Sequence, residues 1–305
     1  MSGFYGLPTG ALQNDYLRLE YLAEAGPRIV RLCLGDSDEN LLAELPDFGW
    51  PTPHGRYHVR GGHRLWHAPE SSPRTYVPDD NGLTVRTFPG GVELRQPTEA
   101  STGLRKVLLI QLHRDRPAVT LTHQLCNDGA WPVEVAPWAI TQLRLGGLVV
   151  LPQSGWPGAG DGLSPNRHLV LWPYARWDDP RLHLHDDYLL FQATARQPAC
   201  KFGYLNTDGW AAYLRDTTLL VKRFQPLPEA SHPDRNCNVE VYGHDQFVEL
   251  ETIAPLALLN PGAVTQHIEV WELFSDVALE PAYPGIRAIR RYLDQPRRLT
   301  AEPRA

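Results

Sequence analysis

The chain has no block of basic residues. Its 29 lysines and arginines are scattered among 35 acidic residues, for a net charge of −6. Without a concentrated basic surface, nucleic acid is not an expected partner. No run approaches the roughly 18 apolar residues that a spanning helix needs, so no membrane helix is expected. The opening stretch, MSGFYGLPTGALQNDYLRLEY, lacks the basic and apolar regions of a secretory leader, and a cytoplasmic location is the expectation. The four cysteines, Cys33, Cys126, Cys200 and Cys237, are far apart and have no metal-like spacing. They read as buried, reduced thiols. There is no Gly-x-Ser-x-Gly, no phosphate-binding loop and no dinucleotide glycine fingerprint after a strand. Nucleophile-elbow hydrolysis and nucleotide chemistry are thereby set aside, and no cofactor is expected.

Glycine and proline are plentiful, at 25 and 28 residues, so turns are frequent and long helices are not expected. Short alternating apolar segments fill most of the chain. Tyr16–Ala23 and Ile29–Leu34 flank Ala25-Gly26-Pro27 as a hairpin, with a short apolar segment at Asn40–Leu45. Further strands are expected at Leu83–Phe88, Val92–Gln96, Lys106–His113, Ala118–Cys126, Trp131–Leu143 and Leu148–Leu151. The series resumes at His168–Trp172, Arg181–His185, Tyr188–Thr194, Lys201–Leu205, Trp210–Asp216 and Thr218–Phe224, then Phe247–Ile253 and Val264–Phe274. Gln153–Arg167 and Leu227–Asn236 read as loops, Ile286–Leu293 as a helix and Arg297–Ala305 as a frayed tail. No repeat or linker is visible. One all-β domain spanning 1–305 is expected, with its core at about 12–275 and a C-terminal helix and tail at 282–305.

Two stretches concentrate chemistry. Phe48–Tyr76 is rich in Pro, Gly, His and Trp and lacks periodicity, so it reads as an ordered binding loop. Within it lies Gly61-Gly-His-Arg-Leu-Trp-His-Ala-Pro-Glu70. Its glycines permit a sharp turn or a close backbone approach. Arg64 offers a planar donor fork, Trp66 a stacking face, and His63 and His67 acid–base groups near neutrality. The structural alternative is an Arg64 clamp to Glu70 or Glu251. The second stretch is 239–274. There Glu249 and Glu251 share one face of a strand, and His267, Glu269, Trp271 and Leu273 share one face of another. Carboxylates and aromatics beside a sheet edge suit a hydroxyl-rich ligand such as a sugar; an ordinary solvated strand face is the other reading. Lys201 and Lys222 either hold an acidic sugar or are solvated. His183-x-His185-Asp186-Asp187 is a weak candidate metal motif, read instead as a polar strand end, so no metal is expected.

The 239–274 stretch resembles the C-terminal strands of the galactose mutarotase-like (aldose 1-epimerase-like) superfamily. Glu251-Thr252-Ile253-Ala254-Pro255 resembles the segment carrying the catalytic glutamate there, although Ile253 replaces the usual Gln and Pro255 comes one residue early. Gly62–Glu70 resembles an uncharacterised branch of the superfamily. The resemblance implies an antiparallel β supersandwich that binds a carbohydrate, as a monomer or a homodimer. It implies Glu251 as general base and Arg64 as a sugar-binding arginine. It supplies no match for the general acid; from the density of the local motif His67 comes first, then His63, His244 and His267. Trp66, His63, Trp138, Lys201, Glu249, His267 and Glu269 complete the expected site. Trp138, in Ala136-Pro137-Trp138-Ala139, stands where the superfamily has a catalytic histidine. The resemblance implies, first, a carbohydrate-binding, aldose 1-epimerase-like protein that interconverts sugar anomers by Glu/His acid–base catalysis; the departure at Trp138 counts against it and favours the alternative, a non-catalytic sugar-binding or sensing protein. An accessory role in polysaccharide metabolism is a further alternative.

Overall fold

The computed structural model describes residues 3–153, 163 and 165–294. The tail Arg297–Ala305 and most of the expected Gln153–Arg167 loop lie outside them. The architecture is an antiparallel β-sandwich of two large sheets. Nearly all the expected strands form, within a residue or two of the expected bounds. Strands Gly3–Phe4, Leu7–Gln13 and Ala257–Leu259 were not expected from periodicity, and Val239–Gly243 forms where only the stretch had been noted. Among the described residues no helix is long and apolar enough to cross a membrane.

The first sheet runs, through its centre, in the order Arg28–Leu34, His63–Ala68, Val133–Leu143, Val248–Ile253, Val239–Gly243, Cys200–Tyr204. The second is centred on Thr218–Phe224, Val264–Phe274 and Ala118–Asn127. Between them lies the main core, in which Leu19, Leu32, Phe202 and Leu250 of the first sheet meet Leu108, Leu121, Tyr213 and Trp271 of the second. The expected C-terminal helix is a 3-10 turn, Gly285–Ile289, continued by Arg290–Leu293. Its Ile286 and Ile289 cover the outer face of the second sheet at Val150, Leu214 and Val221.

The Phe48–Tyr76 segment is a correction to the expected loop. Glu44–Thr52 pairs with Gly55–Gly61 as a hairpin, and His63–Ala68 is a central strand of the first sheet. Prolines and glycines had hidden the alternation. Gly62 makes the turn between the last two strands at φ +73°, where an added Cβ would strike the Ile29 carbonyl oxygen at 1.9 Å. These glycines therefore serve backbone packing rather than ligand approach. The hairpin folds over the outer face of the first sheet, where Phe48, Trp50, Tyr57 and Val59 pack against Trp66, Trp138 and Phe247. Every residue of His63–Ala68 and Val248–Ile253 is consequently buried.

Candidate functional site

Strand registers fix what the hairpin covers. Arg64, Ile140, Glu251 and Glu240 lie in one cross-strand row, and Gln142, Glu249, Tyr242 and Lys201 in the next. Trp66 and Trp138 are paired one step further along. Side chains alternate along a strand, so these residues share the outer face. Above them is a cleft of about 400 Å³, lined by Phe48, Trp50, Trp66, Tyr76, Trp138, Tyr174, Tyr242 and Phe247, with Arg64, Gln142, Lys201 and Glu249 at its floor and Glu70 beside it. The size and the aromatic walls with few polar groups are those of a small-molecule site.

The floor is a charged cluster. Arg64 Nη2 donates to Glu249 Oε1 at 3.0 Å, and Gln142 Nε2 donates to the same oxygen at 2.9 Å. The Arg64 guanidinium lies over the Trp66 ring at 4.4 Å. Lys201 Nζ bridges Glu240 Oε2 at 2.8 Å and Glu251 Oε2 at 3.2 Å, between the rings of Trp138 and Trp172. Trp138 Nε1 donates to Glu251 Oε2 at 2.7 Å. Gly203, opposite Glu240, must lack a Cβ, because one would meet Glu240 Cγ at 2.9 Å. Burial raises the Glu249 carboxyl to about 7; Arg64 opposes the rise and the neighbouring Glu251 adds to it. Burial likewise holds Glu240 well above the usual carboxylate range, against the pull of Lys201. Burial disfavours the charge on Lys201, but Glu240 and Glu251 outweigh it and keep its pKa well above the ordinary lysine value. Several buried atoms here lack partners: Arg64 Nε and Nη1, Gln142 Oε1 and Glu251 Oε1.

Six of the expected site residues therefore meet at the cleft: Arg64, Trp66, Trp138, Lys201, Glu249 and, enclosed beneath Trp138 and Lys201, Glu251. The Arg64 clamp exists, but to Glu249 rather than to Glu70 or Glu251. His63, His67, His267 and Glu269 are not in the cleft. They lie on the opposite faces of their strands, inside the sandwich, and all are buried. His67 sits 3.7 Å from Glu99, which is also paired with Lys106. Burial lowers the His67 pKa, with Glu99 opposing. No path on the outer face joins His67 to Glu251, which corrects the expected acid–base pair. His244 stacks on Phe247 in the hairpin after Val239–Gly243.

The other three form a closed interior network. Lys222 Nζ uses its three protons on Thr141 Oγ1, the Leu250 carbonyl and Glu269 Oε1, each at 2.9 Å. His123 Nδ1 donates to the His267 carbonyl, so its Nε2 accepts from His63 Nε2–H at 2.7 Å, and His63 Nδ1 accepts from Thr141. Thr252 links His267 to Glu269, whose other oxygen accepts from Trp271 Nε1. Burial drives His267 down to about 3. Burial pushes Glu269 up, but Lys222 outweighs it and holds the carboxyl below its usual range. His63, His123 and Glu269 bring ligand-type atoms within 4.8 Å of one another. Lys222 already balances Glu269, however, so a divalent ion would add two uncompensated buried charges. At the weak metal motif, His185 stacks on Tyr283 and Asp187 pairs with Arg287.

Periodicity missed Gln142, Tyr242 and Glu240. Their signal was present: Gln142 shares a face with Trp138 four residues earlier, and Glu240 and Tyr242 alternate along Val239–Gly243.

No sequence-family profile matches the chain, and no curated protein sequence matches it. Solved structures do. A galactose mutarotase-like protein from Lactobacillus casei superposes with a TM-score of 0.56 at 12% identity, over 88% of this chain and 100% of that one. Slr1438 from Synechocystis sp. PCC 6803 gives 0.57 at 13%, over 88% and 96%. A protein of Escherichia coli K12 provisionally named an aldose 1-epimerase gives 0.54 at 13%, over 88% and 100%. The chain has the galactose mutarotase-like fold.

Proposed function

We propose that this protein binds a carbohydrate in the aromatic cleft. The observation that carries the reading is the cleft itself. Aromatic faces form its walls, and Arg64, Gln142, Lys201 and Glu249 supply both donors and acceptors at its floor. Aromatic walls stack against the apolar faces of a sugar ring, and the polar side chains of the floor suit its hydroxyls. The names of two fold neighbours, a mutarotase-like protein and a provisional aldose 1-epimerase, lie in the same chemical class. The test is calorimetric titration with D-glucose, D-galactose and their 6-phosphates. Saturable binding that Trp50→Ala and Tyr174→Ala both weaken supports the cleft. Binding unaltered in both variants, or no binding to any probe, overturns the reading.

Anomer interconversion is the second reading, favoured by Glu249 and Glu251 standing on one strand face. The reaction needs one group to take the anomeric proton and another to protonate the ring oxygen. Glu251 is fully enclosed, so Glu249 is the strand's reachable carboxyl. Polarimetry of freshly dissolved α-D-glucose and α-D-galactose decides. Acceleration abolished by Glu251→Gln would restore Glu251 as base; saturable binding without acceleration leaves a binding protein.

A further inference from the structure

We propose that the ligand of the cleft is an amino sugar, its ammonium held by the Glu70 carboxylate beside the aromatic rings and its sugar ring stacked on the cleft walls. The inference rests on the cleft being the carbohydrate site and names the charge class of that ligand, with Glu70 as the specificity-determining residue. Glu70 follows the His63–Ala68 strand by two residues, is exposed, and lines the cleft. Tyr76 fixes it there. The phenol donates to Glu70 Oε1, and the Tyr76 ring is wedged against Trp50 and Trp66 at centroid distances of 5.3 and 5.4 Å. All three rings are cleft walls. A carboxylate accepts several hydrogen bonds, so the phenol leaves room for a ligand donor. A carboxylate among aromatic faces suits an organic ammonium, because the rings add a cation–π attraction to the ion pair.

The charges around the cleft point the same way. Both cations of the floor are committed, Arg64 to Glu249 and Lys201 to Glu240 and Glu251. The guanidinium nitrogens that Arg64 keeps unpaired are buried, and Lys201 is only 5% exposed. Drawing either cation onto a ligand carboxylate or phosphate would break a buried ion pair, which is costly. Carboxyl groups, by contrast, are in excess. Glu70, Glu249, Glu240 and Glu251 stand at or beneath the cleft, and Asp234 and Asp245 act on it from further out. Two further basic side chains flank the site, and both are turned elsewhere: His244 to Asp245 and Arg74 to the Pro69 carbonyl. Gln142, fully buried and lining the floor, likewise has no donor for its Oε1. An ammonium brings the positive charge this surface is short of, whereas an acidic sugar or a sugar phosphate would add to the excess.

The test is calorimetric titration of the full chain at low salt and about pH 6, where a sugar amine is protonated. The probes are D-glucosamine and D-galactosamine, their N-acetyl derivatives, the parent D-glucose and D-galactose, and D-glucose 6-phosphate. At least one amino sugar is expected to bind about tenfold more tightly than its N-acetyl and parent forms, and the phosphate most weakly of all. Glu70→Gln keeps the size of the side chain and removes its charge, so the preference for the amino sugar is expected to collapse to about twofold or less. A merely structural role for Glu70 would lower all affinities alike and leave that ratio standing. An amino sugar bound no more tightly than its parent, a preference for the phosphate, or a ratio unchanged in the variant overturns the inference; neutral sugars that still bind then leave the carbohydrate reading intact. If no probe binds, the carbohydrate reading fails and the amino-sugar inference with it.

Discussion

The two faces of one set of strands hold two polar clusters of opposite character. Thr141 and Gln142 are neighbours, as are Glu251 and Thr252 and also His63 and Arg64, yet each pair is divided between the clusters. Inside, hydrogen bonds close on one another: Lys222 spends all three protons and the His63–His123 pair has one consistent tautomer arrangement. Outside, Arg64, Gln142 and Glu251 keep buried atoms without partners. An unmade buried hydrogen bond costs about 1–3 kcal/mol, so the outer cluster carries a cost that the inner one avoids. His67, also on the inner face, has both ring nitrogens without a hydrogen-bond partner, so the contrast lies between these two clusters and not between the two faces as a whole.

The contrast breaks most sharply at Lys222. Lys222→Met leaves Glu269 buried and uncompensated, and the expected loss is about 3–5 kcal/mol, read by urea unfolding. A loss under about 1 kcal/mol would mean that the inner cluster is not a closed unit. Trp138→Ala comes next. It removes a buried ring that also donates to Glu251, with an expected cost of about 3–5 kcal/mol; sugar binding should fall with it, and binding retained in the folded variant would remove Trp138 from the site.

Acid sharpens the same comparison. His267 has a folded pKa of about 3, pushed down by burial, against about 6.5 when unfolded. A depressed histidine binds its proton more readily in the unfolded chain. Its stabilisation is complete above about pH 6.5 and is lost as pH falls from there towards 3, at up to about 1.4 kcal/mol per pH unit. His63 and His123 are lowered in the same direction by burial. Unfolding midpoints should therefore drop steeply over that window, and His267→Gln should flatten the slope; an unchanged slope would show that His267 is protonated in the fold. The smallest effect belongs to the rim. Tyr174 is half exposed at the cleft, so Tyr174→Ala should change stability by no more than about 0.5 kcal/mol while weakening sugar binding several-fold. Equal binding in wild type and variant would confine the ligand to the floor.

Much of this was legible in the residues. Alternation located the strands of both sheets, because a sheet with one face on the core imposes a period of two. The Gly61–Glu70 and 239–274 stretches, picked out by their aromatics and charges, do supply Arg64, Trp66, Glu249 and Glu251. The failures have one cause. Alternation says that His267, Glu269 and Trp271 share a face, and that Glu249 and Glu251 share another, but not which face points inward. A central strand covered on both sides is polar and apolar on both, so no burial contrast breaks the tie. His63 and His67 were lost from the site for this reason, one residue either side of Arg64 and Trp66.

By itself, then, the sequence determined the all-β class, most strand positions and the pool of residues from which a site is drawn, since those follow from local spacing and turn chemistry. Tertiary structure alone decided membership. Laying Glu44–Gly61 over the first sheet turned that face into a cleft, and packing the second sheet against the other face closed the histidines into the core. Both choices depend on contacts between segments far apart in the chain, Arg64 with Glu249 and Lys222 with Thr141, which no local period encodes.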